Sequence, residues 1–423
     1  MRAALSGLTT RGRCLLAAGL ALAACSVLLG QRDLMRAAAF LVFLPLSAVF
    51  VVVRTRYRLA CSRLLDPPRV EAGRAATVRL RLDNVSKIPS GVLLMEDALP
   101  YVLGGRPRFV LDRVEPKGVR EVSYPVRADV RGHYRVGPLS VRLTDPFGLV
   151  ELTRAFSSTD DLVVTPPVSP LPGVRLGGDW TGGGDARARS VSVSGSDDAA
   201  TREYRHGDDL RKVHWRSTAR VGELMVRREE QPFQSRATLL LDCRAHAHRG
   251  DGPGSSFEWS VAAVASIAVS LTRGGYGLRL LTDNGLDLVP AAVPTTEGAL
   301  LDALAGVGAS RGESLEAATD QLRRYGVDGA LVAVVGALDP DDAERLARLR
   351  HGAVACVAVL LETETWAPSG PRGRQTAQEA FDASAALLGA AGWRVLRVPH
   401  GTTLASVWPL AGTGNARAEA SVS

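Results

Sequence analysis

The chain has 423 residues, 46% of them hydrophobic and 22% charged, which excludes a disordered chain and leaves room for two ordinary domains. A formal charge of +7 would suggest a nucleic-acid partner, but nine arginines against Asp33 and Asp66 within residues 1–66 carry the whole excess. The remainder balances, so the basic excess points to a lipid surface and nucleic acid is not an expected partner. Three Lys among many Ala, Gly and Arg fit a GC-rich bacterial genome of actinobacterial type.

Two uncharged apolar runs, residues 14–30 and 37–53, each span about 26 Å as helix against a hydrocarbon core of about 30 Å. The short link QRDLMR makes them a hairpin, so residues 1–58 are expected to form a two-helix transmembrane anchor. A cleaved signal peptide is the rival for the first run; the second run and the RTRYR behind it favour the anchor. Three Arg precede the first run and four follow the second, which predicts cytoplasmic termini and cytoplasmic folded domains, with anionic lipid near the anchor. Cys14, Cys25, Cys61, Cys243 and Cys356 form no disulfide framework.

Residues 67–166 read as an all-β domain. In ATVRLRLDN, Val78, Leu80 and Leu82 alternate with Thr77, Arg79 and Arg81, the period of a half-buried strand. Similar runs in GVLLMEDAL, PRFVLDRV, VREVSYPVRA, HYRVGPLSVRLTD and LVELTRAF, punctuated by Gly, Pro and Asp, predict an immunoglobulin-like sandwich. Residues 167–200, ending in a Gly/Ser/Asp-rich stretch, predict a flexible linker.

Residues 201–232 hold the densest charge in the chain, REYRHGDDLRKVHWRSTAR. Gly207-Asp208-Asp209 predicts a turn and helix N-cap, with Leu210, Val213, His214 and Ser217 on one face and Trp215 covered by Tyr204 or the following sheet. Asp208, Asp209 and His214 could serve acid/base or metal chemistry. The basic residues with Tyr204 and Trp215 could track nucleic acid, although interleaved acids weaken that reading. A partner-binding surface, or a capped helix locked by Arg-carboxylate pairs, suits the composition better.

From 233 to 411 buried apolar strands alternate with amphipathic helices, which predicts an α/β doubly wound, mostly parallel sheet. The strands are ATLLLDC, YGLRLL with its return DLVP, GALVAVVGAL, AVACVAVLL and WRVLRVP. At the first strand's carboxyl end stands Asp242, but Arg244 and His246 occupy positions where a von Willebrand A domain has metal-binding serines, so the usual Mg²⁺ site is expected to be lost. Cys243, His246, His248 and Asp251 supply zinc-type donors without a known zinc spacing, leaving Asp242, His246 and His248 as weak metal candidates and no cofactor expected. The tail, 412–423, is expected to be disordered.

The 202–230 segment resembles the signature of the bacterial family known as domain of unknown function fifty-eight, Arg-x-Tyr-x-x-Gly-Asp-x-x-Arg-x-(Ile/Val)-x-Trp-x-x-(Ser/Thr)-Ala-Arg. Arg202, Tyr204, Gly207, Asp208, Arg211, Val213, His214, Trp215, Ala219 and Arg220 match it, and RGHYRVGPLSVRLTDPFGLVE (131–151) is similar as well. The resemblance implies two membrane helices, a von Willebrand A-like C-terminal half, no established reaction, and genetic neighbours that include AAA+ ATPases of the MoxR type. It thus implies a membrane-tethered cytoplasmic adaptor or scaffold, acting with such an ATPase in envelope assembly through Arg202, Tyr204, Gly207, Asp208, Arg211, His214, Trp215 and Arg220. The alternative is a membrane-bound hydrolase using Asp208, Asp209 and His214.

Overall fold

A computed structural model describes residues 7–54, 59–87, 89–90, 92–144, 147–174, 176, 201–203, 213, 215–227, 236–289, 296–327, 329–350, 354–367 and 370–412. The chain divides into two units: residues 1–169 with 250–266 and 296–309, and residues 170–249 with 267–295 and 310–423.

The first unit opens with helices α1 (Thr10–Leu29) and α2 (Arg32–Arg54). Thr9 caps α1 by accepting from Gly12 N at 3.2 Å, and Gly30 closes it in the left-handed region at φ 66°. Both helices are long and apolar enough to cross a membrane. They approach closely at Gly19, where a Cβ would lie 2.7 Å from Val42 Cγ2.

Ten strands follow: β1 (Leu59–Asp66), β2 (Arg69–Glu71), β3 (Ala75–Asn84), β4 (Leu93–Asp97), β5 (Arg108–Leu111), β6 (Val119–Arg127), β7 (Gly132–Val136), β8 (Leu139–Thr144), β9 (Glu151–Ala155) and β10 (Asp160–Thr165). They form three sheets, β1-β3-β6, β2-β10-β7 and β5-β4-β8-β9, antiparallel except for β2 with β10. All three feed one core, in which Val78, Leu80 and Leu82 point inward as their alternation requires, beside Leu93, Met95, Val141 and Leu162. The run HYRVGPLSVRLTD is two strands, broken at Gly137 with φ 102°.

β1 lies ahead of the boundary expected at 67 and pairs with β3 from Leu59↔Asn84 to Asp66↔Thr77. Its disguise is Arg63, a charge at an inward position. The Arg63 side chain is 2% exposed and reaches Asp97 at 2.6 Å and Asp160 at 3.0 Å, while Tyr124 donates to Asp97 at 2.5 Å. A buried cation survives because carboxylates replace its water.

Along the chain, the β-rich strands are followed by a short pair, β11 (Thr201–Glu203) antiparallel to β12 (Met225–Arg227), with the helix α3 (Trp215–Val221) between the two in sequence. The linker expected over 167–200 falls outside the described residues from 177 onward, as does the tail from 413.

The large sheet is built from β13 (Arg236–Leu241), β14 (Gly277–Thr282), β15 (Asp287–Val289), β16 (Ala330–Val335), β17 (Ala355–Leu361) and β18 (Arg394–Val398). The helices interspersed with these strands are α4 (Ser256–Arg273), α5 (Glu297–Ala305), α6 (Glu316–Tyr325), α7 (Pro340–Ala347), α8 (Pro371–Ala390) and the short α9 (Leu404–Val407). The strand order is β15-β14-β13-β16-β17-β18, parallel except for β15, which returns antiparallel to β14 after the Asn284-Gly285 turn with Gly285 at φ 77°. Every residue of β16 and β17 is buried, as strands covered on both faces demand. α7 starts as its sequence dictates: Asp339 accepts from Asp342 N at 2.8 Å, Pro340 follows, and Asp341 and Asp342 fill the first turn.

Candidate functional site

An open parallel sheet with this strand order reverses its winding between β13 and β16, and the crevice at the carboxyl ends of those strands is where such sheets take ligands. Here the chain fills that position with its own side chains. Arg244, with no exposed surface, donates from Nε to Asp242 Oδ1 at 2.9 Å and from Nη2 to Asp242 Oδ2 at 2.9 Å. Its Nη1 donates to Asp342 Oδ2, and Nη2 also meets Ala337 O at 3.3 Å. Asp242 Oδ2 accepts from Gly336 N at 3.2 Å, and Asp342 Oδ1 from Leu315 N at 3.0 Å.

Burial alone would lower the Arg244 pKa, but its hydrogen bonds to Asp242 and the charges of Asp242 and Asp342 hold it above the ordinary arginine value. Burial pushes the Asp342 carboxyl up, against the Leu315 N–H and Arg244, which pull it down. Backbone closes what the side chains leave: a Cβ on Gly336 would lie 2.2 Å from Ala247 O. Asp283, at the end of β14, is likewise engaged, accepting from Ser310 Oγ at 2.6 Å and Cys243 N at 3.3 Å.

The Mg²⁺ that a von Willebrand A-like site would hold does not fit this donor set. A guanidinium stands between the two carboxylates, and it cannot ligate a cation that requires hard oxygen donors. The weak zinc candidates are not assembled either. Asp242 is committed to Arg244, His246 and Asp251 are exposed, Cys243 is buried, and His248 Nε2 donates to the Asp242 carbonyl at 2.9 Å. Burial lowers the His248 pKa, which keeps the ring neutral with its proton on Nε2. Among the described residues no three His, Cys, Asp or Glu side chains are grouped to hold a metal.

Beyond this plug, the ends of β16 and β17 and the side of α8 enclose a hollow of about 120 Å³ lined by Leu338, Leu361, Glu362, Glu364, Gln378 and Phe381. Sites for small organic ligands run to about 300 Å³ and more, so this hollow is smaller than such sites. Arg249 lies 3.7 Å from Glu364 at its rim.

The signature segment is described in part. Arg202 lies in β11, paired with Val226, and Val213 is buried. Tyr204, Gly207, Asp208, Asp209, Arg211 and His214 lie outside the described residues, so the proposed Asp208/Asp209/His214 grouping does as well. Trp215 does not have the cover expected of it: it opens α3 and is 71% exposed, followed by exposed Arg220, Val221 and Leu224. The helix starts at Trp215 and runs only to Val221, so the indole meets solvent at a helix end and not a neighbouring sheet. Thr218 Oγ1 accepts from Met225 N at 3.0 Å and ties α3 to β12.

Arg131, the first residue of the second family-like stretch, escaped notice as a site because a lone Arg in a β-rich run reads as solvated surface. It is buried within the first unit, donating from Nε to Leu304 O at 3.0 Å, pairing with Glu258 and Val307 O, and stacking 5.1 Å over the Phe257 ring.

Residues 200–368 match the model of the family described as "Protein of unknown function DUF58". The uncharacterized protein YeaD of Bacillus subtilis (strain 168) is 27% identical over 256 residues, 57% of this chain and 60% of that protein, so the chain spans about three fifths of the relative it matches. Solved structures with local likeness include the CARDB domain of the PF1109 protein from Pyrococcus furiosus, 15% identical with a TM-score of 0.20, covering 26% of this chain and 90% of that one. A chain of the human seminal-plasma complex of zinc 2-glycoprotein and prolactin inducible protein is 11% identical with a TM-score of 0.20, covering 26% of this chain and 97% of its own. The family match falls on the segment that carries Trp215 and on the large sheet from β13 to β17, so over residues 200–368 the chain is similar to that family.

Proposed function

We propose that this is a membrane-tethered cytoplasmic adaptor, with an immunoglobulin-like spacer and a von Willebrand A-like α/β domain, that docks an AAA+ ATPase of the MoxR type in envelope assembly. The observation that carries the docking reading is the exposed indole of Trp215 within the family signature, flanked by exposed Val221 and Leu224. Aromatic side chains with a large apolar area and a polar tip anchor protein interfaces, and this indole is presented beside exposed apolar Val221 and Leu224. The filled switch point points the same way, since the place where such a sheet would hold substrate contains Arg244.

The anchor rests on a different observation. Leu28 of α1 is 85% exposed and Phe43 of α2 is 67% exposed, side chains that water would drive into a core and that acyl chains accept. Arginines on both flanks of the hairpin favour the cytoplasm for both ends.

Affinity purification from solubilised membranes tests the adaptor. The wild-type chain is expected to recover an AAA+ ATPase and Trp215→Ala to lose it while remaining membrane-bound; equal recovery by the two would overturn the docking role. Protease added to intact spheroplasts should leave the folded units whole, and their removal would overturn the cytoplasmic placement.

A further inference from the structure

The segment between β8 and β9 is fastened to the root of the helical hairpin. Leu8 forms a β-bridge with Val150, Thr9 N donates to Leu149 O at 2.9 Å, and Glu151 N donates to Gly7 O at 2.8 Å. Thr9 Oγ1 donates to Gly148 O at 2.8 Å. The first turn of α1 also presses on this segment, since a Cβ on Gly12 would lie 2.4 Å from Leu149 O. Leu8, Ala48, Leu149 and Val150 share a small core, so the same segment touches the start of α1 and the late part of α2. The start of α1 is therefore level with residues 148–151, and α2 passes them at Ala48, one to two turns before its end.

At that level two apolar side chains face outward, Phe147 at 64% exposure and Leu152 at 40%. Arg11, Arg13 and Arg154 are exposed, two at the start of α1 and one in β9, and the Arg11 guanidinium comes within about 4 Å of the place a Gly148 side chain would take. An aromatic ring near arginines at the end of a membrane helix matches the chemistry of the headgroup boundary, where rings sit among upper acyl carbons and guanidinium groups meet lipid phosphate.

We infer that residues 147–150 are a third membrane contact, with Phe147 inserted at the headgroup–acyl boundary of the bilayer that the hairpin crosses. This rests on the anchor reading above. Residues 148–151 are held by their bonds to residues 7–9, so the depth of Phe147 follows from the depth of α1. The effect is to fix the β-rich strands against the bilayer.

The test uses the full chain with Phe147→Trp, reconstituted into vesicles of phosphatidylcholine and phosphatidylglycerol with or without lipids brominated near the top of the acyl chain. The emission of the variant beyond that of the wild type is expected to be blue-shifted and strongly quenched by bromine, with little quenching by acrylamide. Emission that is red-shifted, quenched by acrylamide and indifferent to bromine would overturn the contact, as would blue-shifted emission indifferent to bromine, which would mean a protein cover. Alkaline carbonate extraction of the same vesicles separates the two readings. A chain that resists extraction but lacks bromine quenching loses only the Phe147 contact, and a chain that is extracted loses the anchor with it.

Discussion

Arg244 and Asp242 form a closed fork, Nε to Oδ1 and Nη2 to Oδ2 both at 2.9 Å, with neither side chain exposed at all. The third arm of the guanidinium reaches Asp342, which lies 98 residues further along the chain in the first turn of α7. One cation thus joins the end of β13 to the start of α7, across the place where an open α/β sheet would hold a ligand.

Removing that cation should be expensive. Arg244→Ala leaves two buried carboxylates without their partner and is expected to cost about 3–5 kcal/mol in urea unfolding. Arg244→Lys should recover only part of this, because an ammonium cannot fork Asp242 and reach Asp342 together. Mg²⁺ or a chelator should leave the wild-type midpoint unchanged.

His248 gives the α/β unit an acid-sensitive component. Burial lowers its folded pKa below the ordinary value of about 6.5, so the unfolded chain takes up its proton first as pH falls. The stability that neutral His248 contributes is complete above about pH 6.5 and is lost as pH drops through that value toward the folded pKa. Unfolding free energies measured from pH 7.5 down to 5 should therefore fall more steeply for the wild type than for His248→Gln.

The hairpin depends on a missing side chain. A Cβ on Gly19 would lie 2.7 Å from Val42 Cγ2 and 3.1 Å from Leu41 Cβ. Gly19→Ala already sets a Cβ against Val42, whose β-branched side chain has one preferred rotamer in a helix, and should loosen the contact; Gly19→Leu overpacks it further, by about 1–3 kcal/mol. Hydrogen exchange of residues 10–29 in detergent should be faster than wild type in the Ala variant and faster still in the Leu variant.

Regular elements were legible because their periods are strong: Val78, Leu80 and Leu82 alternate as they bury, and the apolar runs of β16 and β17 are buried throughout. What stayed hidden depends on buried charge. β1 was obscured by Arg63, and the plug by Arg244, because pattern reading assigns an arginine to solvent unless its carboxylate partner is known, and Asp97 and Asp342 are 34 and 98 residues away. That Arg244 bridges two carboxylates required Asp342, which sequence proximity could not supply. The helical spacing turns Trp215 sideways from the His214 face and predicts a cover from Tyr204 or the following sheet; the indole is instead exposed at the start of a helix that ends at Val221.

The most direct test of the account is a photo-reactive amino acid placed at position 215 of the full-length chain in intact cells, followed by identification of whatever is captured. An adaptor that docks through this indole should yield a covalent adduct with an AAA+ ATPase, abolished when the probe is moved to exposed Tyr101 on the β-rich unit. Adducts only within the chain itself, or the same adduct from both positions, would contradict it.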